Sequence, residues 1–90
     1  VDMEEIRFYI SQLPEVRDCL VLALPDSGSR GNRIVAIIES DSSSPEFIRK
    51  HLGQCLEPYA LPKVLKLVIQ MPMKANGKYD REAILALVSS

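Results

Sequence analysis

Apolar side chains recur along the opening segment at three- and four-residue intervals: Met3, Ile6, Tyr9, Ile10 and Leu13. That spacing predicts an amphipathic helix. Asp2 followed by Glu5 is a capping-box pattern for its start. Pro14 ends it, because the residue before a proline avoids helical geometry. The period then changes. Val16 to Leu24 is almost continuously apolar up to Pro25, and Arg33-Ile34-Val35-Ala36-Ile37-Ile38 repeats that character. Runs without alternation predict strands buried on both faces. Between them, Asp26-Ser27-Gly28-Ser29-Arg30-Gly31-Asn32 consists of turn residues and predicts a hairpin with a long polar loop. A polar break at Asp41 to Pro45 leads to a second helix, with Ser44 as N-cap and Pro45 at its first position. Ile48, Leu52, Cys55 and Leu56 mark its buried face, and Gly53 inside it costs about 1 kcal/mol relative to Ala. A loop from Glu57 to Pro62 precedes a third strand, Val64 to Ile69. Another loop, Gln70 to Tyr79, ends where Asp80 caps a short helix with Ile84, Leu87 and Val88 facing inward. The order helix, strand, strand, helix, strand, loop, helix predicts an α+β fold. It is a small three-stranded sheet with helices packed over it, forming one domain across residues 1–90.

Composition narrows the function classes. Ninety residues hold one hydrophobic core, and 47% apolar with 26% charged side chains is a globular balance. Eleven basic against twelve acidic side chains leave a net charge of −1. With no positive field to attract a polyanion, nucleic acid is not an expected partner. The longest apolar stretch, Cys19 to Pro25, is far short of the roughly 18 residues a membrane span requires. The chain begins with Val1, and no charged leader precedes an apolar signal core. It therefore reads as starting inside a longer protein or after processing. Cys19 and Cys55 are too few for a disulfide framework and read as reduced thiols of a cytoplasmic protein.

Most candidate chemistry dissolves when the residues are placed. His51 and Cys55 share a helix face, and Cys19 lies on a strand that could approach them, which would bring together three soft ligands able to hold zinc. No close ligand pair such as C-x-x-C accompanies them, so no metal is expected. The one histidine sits within a helix and no G-x-S-x-G elbow is present, which argues against a serine hydrolase. Gly28-Ser29-Arg30-Gly31-Asn32-Arg33 lacks the G-K-[ST] ending of a phosphate loop and lies between strands. It reads as a hairpin turn with two solvated arginines. Glu4 and Glu5 are adjacent, point to different helix faces and form no acid–base pair. What remains is the segment Met71-Pro72-Met73-Lys74-Ala75-Asn76-Gly77-Lys78-Tyr79-Asp80-Arg81. Asn76-Gly77 is a tight-turn dipeptide that projects Lys78 from a loop ahead of a capped helix. By itself that tripeptide describes a solvated turn lysine.

The run Pro72-x-x-x-Asn76-Gly77-Lys78-x-Asp80-Arg81 resembles the last core motif of adenylate-forming enzymes. These include nonribosomal peptide synthetase adenylation domains, acyl- and aryl-CoA synthetases and luciferases. The resemblance spans nearly the whole chain. Asp2-Met3-Glu4-Glu5-Ile6 looks like the end of the hinge-proximal motif, and Leu13-Pro14-Glu15-Val16 resembles the H-P-x-V step. Leu24-Pro25-Asp26 with Gly31-Asn32-Arg33 looks like the P-D…G-E hairpin, and Tyr59-Ala60-Leu61-Pro62 resembles the Y-x-x-P element. Two positions depart from the pattern: Asn32 stands where the family usually has Glu, and Arg7 where E-I-E has its second Glu.

The resemblance implies a C-terminal lid domain of an acid–thiol ligase, with the large N-terminal adenylation domain outside this chain. It implies ATP as cofactor, with Mg held mainly by that other domain, and an acyl adenylate made from a carboxylic or amino acid. CoA or the phosphopantetheine of a carrier protein would accept the acyl group. The Asp80-Arg81 ending is closer to the peptide-synthetase type than to CoA ligases, which often read S-G-K-x-x-R, and so favours a carrier protein. By resemblance Lys78 is the catalytic lysine of adenylation, Asn76 and Gly77 shape its loop, and Asp80 and Arg81 support it. Gly28, Arg30, Gly31, Asn32 and Arg33 would face the thiol or carrier. Alone, the chain is expected to be inactive. A non-catalytic interaction module and a small-ligand regulatory α+β domain are the alternative readings.

Overall fold

The computed structural model describes residues 2–25 and 31–88. Helix α1 (Met3–Ser11) begins where one carboxylate oxygen of Asp2 accepts from the amides of Glu4 and Glu5, at 3.0 and 3.3 Å. These are orphan donors that only a cap can satisfy. Ile6 and Ile10 are fully buried, whereas Met3, the first member of the predicted stripe, is 38% exposed. Strands β1 (Asp18–Pro25) and β2 (Asn32–Glu39) form an antiparallel hairpin with Asp18 opposite Glu39 and Pro25 opposite Asn32. Helix α2 (Pro45–Cys55) starts on Ser44, whose hydroxyl accepts from the Phe47 amide at 3.2 Å. It crosses over to β3 (Val64–Val68), which pairs parallel to β2. A single 3-10 turn, Pro58–Ala60, lies in that connection. Helix α3 (Arg81–Val88) closes the described chain. The strand order is β1-β2-β3, so β2 is central.

Alternation along the strands separates two cores, one on each side of the sheet. Cys19, Val21, Ala36 and Ile38 face α1 and α2, packing with Ile6, Ile10, Ile48 and Leu52. Val35 and Ile37 face the other way, toward Ile84 and Val88 of α3 and the buried Met71. The expectation of strands buried on both faces holds in full for β2, where Val35, Ala36, Ile37 and Ile38 are all inaccessible. For β1 it holds on one face. Cys19 and Val21 are buried, but Leu20, Leu22 and Leu24, on an edge strand at the margin of the α3-side cluster, are only half-covered.

Several boundaries move for local reasons. β1 starts at Asp18 rather than Val16, because the Val16 amide is spent on a turn to the Leu13 carbonyl at 3.0 Å. β3 ends at Val68, and Ile69 is 76% exposed. Cys55 and Leu56, expected on the buried face of α2, are half-buried at its C-terminus.

Candidate functional site

The segment expected to be a loop from Gln70 to Tyr79 contains a small hairpin. Met73 bridges Tyr79, the Asp80 amide donates to the Pro72 carbonyl at 3.0 Å, and the Lys74 amide donates to the Lys78 carbonyl at 2.7 Å. At the tip, the Gly77 amide donates to the Lys74 carbonyl at 3.0 Å, and Gly77 has φ +84°. A turn closed by a residue in the left-handed region is the three-residue hairpin loop with a glycine bulge. A side chain at Gly77 would meet no neighbour, so the backbone angle alone demands glycine. Asn76 locks the next residue, its side-chain oxygen accepting from the Lys78 amide at 3.1 Å. Lys78 is exposed, and among the described residues its ammonium group has no ion-pair partner.

Behind the hairpin, a carboxylate oxygen of Asp80 accepts from the Ala83 amide at 3.2 Å and starts α3. Arg81 is exposed at the first position of that helix. A cation there gains nothing from the helix dipole, so local stability does not explain it. Tyr79 packs against the α3-side core, and its hydroxyl donates to a carboxylate oxygen of Asp18 at 2.7 Å. This bond to the neutral phenol, with burial second, pushes the Tyr79 pKa above the usual 10.0. Met71, at the hairpin's base, donates its amide to Glu39 at 2.7 Å. The hairpin is thus a projection held from behind, and only its tip faces outward.

The other predicted segment lies at the far end of the sheet. Gly28 and Arg30 fall outside the described residues. Gly31 has φ +99° and is exposed, as is Asn32, the first residue of β2. Arg33 is not the solvated turn arginine of the sequence reading. It sits within β2, half-buried, and donates to the Val88 carbonyl at 3.2 Å. A guanidinium there satisfies an orphan carbonyl at the negative end of α3. Asn32 and Arg33 also line an open cleft of about 330 Å³ with Met3, Tyr59, Leu61 and Lys63. At 3.3 Å per residue, Asp18 and Pro25 are about 23 Å apart along β1, so this end and the lysine hairpin occupy opposite ends of the sheet.

The soft-ligand trio is not assembled as a metal site. His51 Nε2 lies 3.1 Å from the Tyr9 carbonyl and 4.0 Å from Cys55 Sγ, while Cys19 Sγ points to the Arg7 carbonyl at 3.7 Å. Burial pushes the Cys19 thiol above 9.0, against the thiolate that a metal needs. Among the described residues no group of three or more His, Cys, Asp or Glu side chains could hold a metal ion, and no helix is long and apolar enough to cross a membrane.

Sequence reasoning placed the turn at Asn76-Gly77 and the exposed Lys78 after it, but missed Asp18 and Glu39, which hold the hairpin from behind. Both are isolated acids at strand ends, and a strand acid carries no signal of what it holds across the sheet.

Comparison with known proteins bears on the same residues. The family model for the AMP-binding enzyme C-terminal domain matches residues 5–78, which includes the turn and Lys78. Surfactin synthase subunit 1 of Bacillus subtilis is 32% identical over 84 residues, which is 93% of this chain and 2% of that protein. The mitochondrial malonate–CoA ligase of Homo sapiens is 30% identical over 83 residues, covering 90% of this chain and 14% of the relative. Among solved structures, a four-domain nonribosomal peptide synthetase bound to AMP and glycine superposes with a TM-score of 0.79 at 26% identity. That match covers 92% of this chain and 6% of the synthetase. The chain therefore belongs to the AMP-binding enzyme C-terminal domain family, the small α+β domain of adenylate-forming enzymes.

Proposed function

We propose that this chain is the lid of an ATP-dependent acid–thiol ligase, supplying Lys78 to the half-reaction that converts a carboxylate and ATP into an acyl adenylate and pyrophosphate. One observation carries the reading: an exposed ammonium without an ion-pair partner among the described residues, at the tip of a hairpin whose backbone is fixed. A carboxylate and a triphosphate repel each other, and negative charge gathers on the α-phosphate as attack proceeds. A cation presented between them aligns the reactants and stabilises that charge. Lysine suits the task as a compact charge on a flexible stem. By analogy with adenylate-forming enzymes, ATP and its Mg would be held chiefly by a partner N-terminal adenylation domain.

The acyl group then passes to a thiol, of CoA or of a carrier protein's phosphopantetheine. The cleft beside Asn32 and Arg33, basic at Arg33 and Lys63 and apolar at Met3 and Tyr59, supports this second role. Its separation from Lys78 fits a domain that rotates to present one end and then the other. The Asp80-Arg81 ending favours a carrier protein with an amino acid as substrate, and the two free thiols suit a cytoplasmic setting.

The test is Lys78→Ala in the complete protein. ATP–pyrophosphate exchange should fall about 10²–10³-fold, the loss typical of one preorganised charge-stabilising group. Transfer from a supplied acyl adenylate should persist. Unimpaired exchange, or equal loss of both steps, would overturn the assignment.

A further inference from the structure

Asp18 and Glu39 stand directly opposite each other in the β1–β2 register, on the sheet face that carries α3. Like charges facing across a ladder are destabilising unless each finds its own donors. Both do, and the donors come from the two limbs of the lysine hairpin. Glu39 Oε2 accepts from the Met71 amide at 2.7 Å, at the start of the hairpin. Asp18 Oδ2 accepts from the Tyr79 hydroxyl at 2.7 Å, next to Lys78. Each acid is itself held. The other oxygen of Asp18 accepts from the Cys19 amide at 2.9 Å, and the other oxygen of Glu39 pairs with Arg17 Nε at 3.3 Å. Arg17 also pairs with Asp41 at 3.2 Å and donates to the Ile69 carbonyl, just before the hairpin. Among the described residues, Tyr79–Asp18 is the one hydrogen bond linking the stretch from Asn76 to Asp80 with the sheet.

We infer that Asp18 and Glu39 form a two-point clamp that sets the position of Lys78, with Tyr79 and Asp18 as positioning residues for adenylation. The inference rests on the proposed role of Lys78. The turn fixes the lysine relative to its own hairpin; apolar packing of Met71 and Tyr79 seats the hairpin on the sheet, and the clamp adds the directional bonds that fix how it sits. Rigid support of this kind matters because a charge displaced by about 1 Å can cost up to about 100-fold in rate.

The experiment measures ATP–pyrophosphate exchange and acyl transfer from a supplied adenylate in the complete protein. Tyr79→Phe keeps the ring and removes the donor. It should lower the exchange kcat about three- to tenfold, the worth of one hydrogen bond, with KM for ATP and acyl transfer nearly unchanged. Asp18→Ala should match it. Asp18→Asn, which keeps an acceptor oxygen, should recover most of the rate. The double variant Tyr79→Phe/Asp18→Ala should be no slower than either single change. Unchanged exchange in Tyr79→Phe, multiplicative losses in the double variant, or equal loss of both half-reactions would each overturn the clamp. Lys78→Ala serves as the control. If it leaves exchange intact, the function itself is wrong; if it lowers exchange while Tyr79→Phe leaves exchange unchanged, only the clamp is wrong.

Discussion

The two faces of the sheet are built from the same three strands and held by different forces. Under α1 and α2, nine of the described residues, among them Ile6, Ile38 and Leu52, are buried in a continuous apolar core. Under α3 the buried set is smaller, Val35, Ile37, Met71, Ile84 and Val88, and at its edge apolar packing gives way to hydrogen bonds that Asp18 and Glu39 accept from Tyr79 and Met71. The first face supplies the area that offsets chain entropy. The second trades some of that area for direction, since burial is non-directional whereas a hydrogen bond fixes where its partners lie. A projecting lysine needs direction more than area. Stability and positioning should therefore be separable by mutation.

Leu52→Ala gives the largest expected effect on stability. Leu52 is inaccessible, so its truncation should cost about 2–5 kcal/mol, measured by urea unfolding. That is a large share of the roughly 5–13 kcal/mol available to a domain of this size. A loss below 1 kcal/mol would mean that the α1/α2 face is not the main source of stability. Gly77→Ala comes next. With φ at +84°, the alanine should cost about 1 kcal/mol at the hairpin, and exchange activity should fall further than global stability does. Equal losses would erase the distinction between the faces.

The smallest effect is a pH dependence. The Tyr79 pKa is raised above 10.0, so the folded state favours the neutral phenol. Its contribution is whole below pH 10 and is lost as pH rises through the raised value. The stability difference between wild type and Tyr79→Phe should accordingly shrink above pH 10. A constant difference would show that the hydroxyl–Asp18 bond contributes no pH-linked stability.

Local signals predicted local structure well. Asp2, Ser44 and Asp80 each cap the helix their positions suggested, because a cap joins groups two or three residues apart. Asn76-Gly77 likewise turned where expected, since a positive φ is a property of one residue. Arg33 was misread as solvated because its acceptor, the Val88 carbonyl, lies 55 residues away.

From the sequence alone came the elements, their order, the apolar faces and the identity of the exposed lysine. All of these depend on spacing within a few residues, or on an ordered series of motifs. The tertiary structure alone decided which acids hold the lysine hairpin. Asp18 meets Tyr79 across 61 positions and Glu39 meets Met71 across 32. Only the β1–β2 register brings those two carboxylates side by side, and a register is set by the pairing of whole strands against a buried face rather than by any residue that forms it.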